Sequence, residues 1–324
     1  MVGGGTVDRF HRPLSLLATG TRRPNPMTLK DLTGHVCVVT GANSGIGKEA
    51  CRGLVRQGAR VVMVCRNEKR GRDAQAEIEA DAREGGSTDL QLADLAVQDD
   101  VKDLGSRLVS TYDRLDVLVN NAGLYSGRRE MTVDGVEKTF AVNHLAPFLL
   151  THLVLDRMKE TAEEVGEARI VNVGSEAHRG ARIDFDDIHG EEEYSGIQAY
   201  GQSKLANVLF THELARRVQG TGVLVNCVHP GVVATNIWRG SDWLSRLARL
   251  FKWFYKSPEE GARPVLLLAA SPKTADATGQ YFREMERANP STAAFDEKIA
   301  ARLWRLSLAL TGLPEPTGDV EEEL

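Results

Sequence analysis

Each thing this sequence is short of closes off a class of function. No apolar run approaches the roughly 20 residues that a helix needs to cross a bilayer, so no transmembrane segment is expected. Positive charge is not in excess. With a formal net charge of -5 the chain offers no broad basic surface, and nucleic acid is not an expected partner. Cysteine is scarce: Cys37, Cys51, Cys65 and Cys227 include no C-x-x-C pair, and three of the four lie inside apolar, strand-like runs. They read as reduced core thiols, which places the protein in the cytoplasm. Metal-ligand spacing is missing too. His144, His152, His178 and His229 are scattered, and the acidic stretch with Asp184, Asp186, Asp187 and Glu191–Glu193 has no histidine or glycine frame. That stretch reads as a solvated loop, and no metal site is expected.

What is present is an unbroken alternation of short apolar runs and helical periodicity. The strand-like runs are His35–Thr40, Arg60–Cys65, Asp89–Leu92, Leu115–Val119, Ala168–Val173, Val223–Val228 and Gly279–Phe282. Helical spacing fills the gaps over Ile46–Gln57, Asp73–Ala82, Val101–Tyr112, a long segment through Met158, the segment around Tyr200, Pro258–Ala270 and Phe295–Thr311. This pattern predicts an α/β fold: a Rossmann-like, doubly wound parallel sheet in a single domain, with ligands at the carboxyl ends of the strands. The domain is expected over residues 28–312. Residues 1–27 read as a disordered tail, whose Arg9, Arg12, Arg22 and Arg23 leave organelle targeting open without a secretory pattern. Residues 313–324 read as a flexible acidic end.

Chemistry concentrates in a few places. Tyr200 and Lys204 stand one helical turn apart on one face, and an ammonium beside a phenol favours the phenolate, whose free pKa is near ~10. The turn Thr40-Gly41-Ala42-Asn43-Ser44-Gly45-Ile46-Gly47 joins a strand to a helix. Such a turn offers backbone N–H groups and a positive helix end to a phosphate, and its glycines let a pyrophosphate approach. At the end of the second strand Cys65-Arg66 stands where a carboxylate would hold ribose hydroxyls, so a 2'-phosphate is better served; a solvated Arg66 is the bland alternative. Asp94 either accepts from the adenine amine or caps a helix. Asn143, in an apolar run, must hydrogen-bond something, if only its own helix. Ser175 sits at the mouth of the sheet. The segment Trp243–Phe254 carries one aromatic and apolar face, which suits a lid over an apolar substrate, a membrane-surface helix, or core.

From about Leu29 to Gly312 these residues together resemble the short-chain dehydrogenases/reductases. The resemblance rests on Thr40-Gly41-x-x-x-Gly45-x-Gly47, Asp94, Asn120-Asn121-Ala122-Gly123, Asn143, Ser175, Tyr200, Lys204 and Pro230-Gly231, in that order. Within the family the retinol-dehydrogenase-like branch is most similar, through Cys65-Arg66, Val142-Asn143-His144-Leu145, Glu176-Ala177-His178 and Tyr200-Gly201-Gln202-Ser203-Lys204. Gly174 replaces the first of two serines common in the family, and the apolar N-terminal anchor of membrane-bound relatives has no counterpart here. The resemblance implies an oxidoreductase interconverting an apolar alcohol and its ketone or aldehyde, with NADP(H) favoured over NAD(H). Tyr200 would move the proton and Ser175 would bind the substrate oxygen. Lys204 would lower the Tyr200 pKa and hold the nicotinamide ribose, and Asn143 would position a water. The cofactor would lie along Gly41, Asn43, Ser44, Gly45, Ile46, Gly47, Arg66, Asp94, Leu95, Asn121, Ala122, Gly123, Tyr200, Lys204, Pro230, Gly231 and Thr235. Peripheral membrane contact and self-association are compatible with it. A non-catalytic nucleotide-binding regulator on the same fold is the alternative.

Overall fold

Valine-rich runs buried on both faces make the centre of the fold, as parallel strands require. In the computed structural model, which describes residues 1–3, 27–232 and 256–315, these runs form an eight-stranded sheet of order β3-β2-β1-β4-β5-β6-β7-β8. The strands are β1 (Val36–Thr40), β2 (Arg60–Cys65), β3 (Ser87–Leu92), β4 (Val117–Asn120), β5 (Ala168–Val173), β6 (Val223–His229), β7 (Gln280–Arg283) and β8 (Glu286–Arg287). The helices are α1 (Gly45–Val55), α2 (Glu68–Glu79), α3 (Gln98–Thr111), the single turn α4 (Lys138–Phe140), α5 (Ala146–Val165), α6 (Gly196–Arg217), α7 (Pro258–Ala270) and α8 (Glu297–Thr311). Alternate strand residues feed opposite faces: Cys37 and Val39 pack with Ala50, Leu54 and α7, whereas Val36 and Val38 pack with Leu104, Leu108, Phe148 and Leu149. The expected parallel sheet with helices on both faces is therefore observed.

Departures from the sequence expectation have local causes. The last pair is antiparallel, with Phe282 opposite Arg287. Two exposed residues, Glu286 and Arg287, carry no pattern that periodicity can read, and the turn before them needs Glu284 at φ 57. The second and third helices begin earlier than apolar spacing implies, because Asn67 caps the backbone N–H of Arg70 and α3 opens on polar Gln98-Asp99-Asp100. Val97, not Asp94, occupies the position before α3.

Sheet order reverses between β1 and β4, so the loops leaving these two strands flank a crevice at the carboxyl edge. A buried polar ladder fixes that edge. Asn120 donates to Asn172 at 2.9 Å and to Thr151 at 3.1 Å, and Asn172 donates to Thr211 at 2.9 Å. These bonds tie β4 and β5 to α5 and α6, the helix that carries Tyr200.

Candidate active site

The loop after β1 and the loop after β4 are clamped together. The Thr40 hydroxyl accepts from the N–H groups of Asn121 and Ala122, each at 3.0 Å, and Asn121 Nδ2 donates to the Thr40 carbonyl at 2.7 Å. Gly41 and Gly45 adopt left-handed backbone, φ 69 and φ 58, which lets the chain turn from strand to helix. Gly47 has a different reason to be glycine: a Cβ there would overlap Asn121 Nδ2 and lie 2.5 Å from the Gly41 carbonyl oxygen. That need for space is internal packing rather than the approach of a ligand. Asn43 and Ser44 are half-buried at the turn, while Ile46 sends its side chain into the core. At the start of α1, Ser44 makes no side-chain cap and the first turn holds no acidic residue. By contrast Asn67, Ser195, Ser257 and Asp296 cap their helices. The first-turn N–H groups of α1 thus suit an anion, and a dinucleotide pyrophosphate fits the residues present.

Further along the edge, Cys65 turns inward and its thiol packs where a Cβ on Gly71 would lie only 2.7 Å away. Arg66 is exposed. Its Nη1 lies 3.3 Å from Asp94 Oδ2, with side chains 66% and 32% accessible. Asp94 also accepts from the Ala96 N–H at 3.1 Å. Arg66 and Asp94, expected to address different parts of a nucleotide, are here partners of each other. Leu95 packs against the core on the α3 side of the sheet.

The other end of the edge is buried. Tyr200, Lys204 and Asn143 are 9%, 4% and 0% exposed. Asn143 lies in a π-helical stretch, Ala141–Leu145, between α4 and α5. The wider turn is a common device for aiming a side chain, and sequence periodicity does not show it. Its amide does not pin its own helix. Asn143 Oδ1 accepts from the Leu124 N–H at 2.8 Å, and Nδ2 donates to the Leu124 carbonyl at 2.9 Å and to Ser203 Oγ at 3.0 Å. Gly123 keeps this corner open: a Cβ there would meet Asn143 Oδ1 at 3.3 Å and Lys204 Nζ at 3.5 Å. Lys204 Nζ donates to the Val173 carbonyl at 2.9 Å and lies 5.7 Å from the centre of the Tyr200 ring.

Burial pushes the Tyr200 phenol up, and the Ser175 hydroxyl bonded to it works downward. Burial also pulls Lys204 down to about 8, with Cys227 acting in the opposite sense. Ser175 thus favours the phenolate by a direct hydrogen bond, while the Lys204 ammonium beside the same ring is itself disfavoured by burial. Ser175 accepts from the Ala177 N–H at 3.2 Å at the start of the short turn Glu176–His178.

Pro230 and Gly231 follow β6 at the same edge, and Gly231 has φ 89 beside Lys256, which pairs with Glu284 at 2.5 Å. Thr235 and the segment Trp243–Phe254 lie outside the described residues. Lys48 pairs with Glu77 on α2. Among the described residues no group of His, Cys, Asp and Glu is arranged to hold a metal ion, and no helix is long and apolar enough to cross a membrane. The acidic loop is braced rather than merely solvated: Gln202 accepts from the Asp184 N–H at 2.8 Å and donates to the Ile188 carbonyl at 3.2 Å. Sequence reasoning gave no site role to Tyr125, whose ring packs edge-on to Tyr200 at 6.2 Å, and read Thr40 only as part of the glycine turn and His178 only as one of the scattered histidines and part of the resemblance. For Tyr125 the signal was only adjacency to a motif.

The family model described as short chain dehydrogenase matches residues 35–242. Among curated relatives, retinol dehydrogenase 12 of Mus musculus is 44% identical over 87% of this chain and 88% of its own. Retinol dehydrogenase 13 of Homo sapiens is 39% identical over 96% of this chain and 98% of its own. Among solved structures, the Pseudomonas aeruginosa RhlG/NADP active-site complex superposes with a TM-score of 0.62 at 26% identity, covering 78% of this chain and 95% of that one. The fold, the clamped crevice and these matches agree: the chain belongs to the short-chain dehydrogenase/reductase family, in its retinol-dehydrogenase-like branch.

Proposed function

We propose that this oxidoreductase uses NADP(H) to interconvert an apolar alcohol and its aldehyde or ketone, with Tyr200 as proton donor and acceptor. The observation that carries the reading is the convergence of Ser175, Tyr200, Lys204 and Asn143 at one buried end of the crevice, with the uncapped α1 terminus on its other side. The turn Gly41–Gly47 and the α1 terminus would hold the pyrophosphate. Asp94 and Leu95 would flank the adenine, Asn121, Ala122 and Gly123 the ribose side, and Pro230 and Gly231 the carboxamide. When bound, the nicotinamide supplies or accepts the hydride.

The chain's own part is the proton and the oxygen. In the reducing direction Ser175 donates a hydrogen bond to the carbonyl oxygen and Tyr200 transfers its phenolic proton to that oxygen as negative charge develops. In the oxidising direction Tyr200 takes the proton back. Lys204, positively charged, favours the phenolate that remains, and Asn143 holds Leu124 and Ser203 so that this corner keeps its shape. Arg66 beside a strand end without a carboxylate supports NADP(H), as does the RhlG complex with NADP. A cytoplasmic location belongs to the same reading, on the strength of four free, buried cysteines.

The test is a panel of retinal and straight-chain aldehydes with NADPH, run on the parent and on Tyr200→Phe. The parent is expected to reduce apolar aldehydes. Tyr200→Phe is expected to lower kcat by ~10²–10⁴-fold while NADPH affinity changes less than ~3-fold. Tight NADPH binding with no turnover of any substrate would overturn the reading in favour of a nucleotide-binding regulator.

A further inference from the structure

His178 is wholly buried next to Ser175, and the proposed reaction gives it no role. Its two ring nitrogens face partners that decide its state. Nδ1 is 2.6 Å from the Ser175 carbonyl oxygen, which can only accept, so Nδ1 carries the proton. Nε2 is 3.0 Å from the backbone N–H of Ser291, which can only donate, so Nε2 is bare. The ring is therefore neutral and locked in one tautomer. Burial pulls its pKa below the ordinary histidine value, in agreement with that geometry. The Tyr281 ring packs on it at 4.9 Å, and Tyr281 donates to Glu176 at 2.8 Å. Arg179 donates to the Asn289 carbonyl at 2.6 Å. The turn after Ser175 is thus moored to β7 and to the chain near Ser291 by Glu176, His178 and Arg179, and of these bonds only those of His178 run on to Ser175 itself.

We propose that His178 is a positioning residue for Ser175, holding the serine backbone so that its hydroxyl, which accepts from Ala177, directs its own proton toward Tyr200 and the substrate oxygen. This rests on the proposed reading of Ser175 and Tyr200. A hydroxyl that drifts by about 1 Å from its working place loses up to ~10²-fold in rate, which sets the size of the effect.

The bonds of His178 can be separated by amide side chains of different length. In His178→Asn the amide reaches the Nδ1 position and keeps a donor to Ser175; in His178→Gln it reaches the Nε2 position and keeps an acceptor for Ser291. Steady-state kinetics with NADPH and an apolar aldehyde should show kcat recovered in His178→Asn to within ~3-fold of the parent and lowered ~10–10²-fold in His178→Gln, with the KM for NADPH unchanged in both. In a Ser175→Ala background the Asn and Gln variants should differ by less than ~2-fold, because the group being positioned is gone. Equal kcat in the two variants, or the same difference with and without Ser175, would overturn the proposal. If the parent turns over and Tyr200→Phe does not, such a result counts against His178 alone. If Tyr200→Phe matches the parent, it is the reading of the site that fails. Melting temperatures of both variants report whether the mooring, rather than the serine, has been disturbed.

Discussion

The crevice has two unlike ends. Around Tyr200 the side chains of Tyr200, Lys204 and Asn143 are almost fully buried, and Asn143 and Lys204 are hydrogen-bonded to the backbone; around Arg66 its ion pair with Asp94 is open to solvent. A charge therefore fares very differently at the two ends. At Lys204 burial disfavours the ammonium and brings its pKa down from 10.5 to about 8. At Arg66 water screens the pair, and an exposed pair contributes ~0–1 kcal/mol. The buried end is built to decide chemistry, and the open end can only bias a choice between similar ligands.

Lys204→Met tests the buried end and has the largest expected effect. Turnover should fall by ~10²-fold or more, since the cation that favours the Tyr200 phenolate is lost. Stability should move the other way. The folded state holds Lys204 at about 8 against 10.5 for the free group, so between these values the unfolded chain binds more protons and the parent gains stability as pH rises. Below pH 8 the full burial cost, ~3 kcal/mol, is present. Urea unfolding of parent and variant should show Lys204→Met more stable at pH 7, with the gap closing toward pH 10. A gap independent of pH would mean that Lys204 is not buried as a cation.

Gly47→Ala lies between the ends. The added methyl would collide with the Asn121 amide and the Gly41 carbonyl, neither of which can move without opening the clamp on Thr40. A loss of ~1–3 kcal/mol in stability is expected, together with at least ~10-fold weaker NADPH binding. Unchanged binding in a destabilised variant would separate the clamp from the cofactor site. Arg66→Ala should have the smallest effect: NADPH affinity falls ~10-fold, NADH affinity stays within ~2-fold, and the melting temperature does not move. Equal loss for both cofactors would show that Arg66 does not read a 2'-phosphate.

Much of this molecule is legible in the chain because its signals are local. Valine-rich runs between helical periods specify strands buried on both faces, and the Gly41–Gly47 turn, Tyr200 and Lys204 stand at spacings fixed by the geometry of one turn or one helix. What was not legible depends on partners distant in sequence. The π-helical stretch places Asn143 where its amide bonds Leu124 and Ser203 rather than the backbone of its own helix. Asp94 is neither a helix cap nor free, since β2 and β3 bring Arg66 beside it.

The sequence by itself determined the order of strands and helices, the crevice at their carboxyl ends and the residue types gathered there, since each follows from periodicity and short-range spacing. Tertiary structure alone decided the state of those residues. Burial raised the Tyr200 pKa and lowered that of Lys204, Ser175 came to hydrogen-bond the phenol, and Ser291, 113 residues from His178, fixed a tautomer. Desolvation and hydrogen bonding depend on what surrounds a group in space, and no window of sequence contains that.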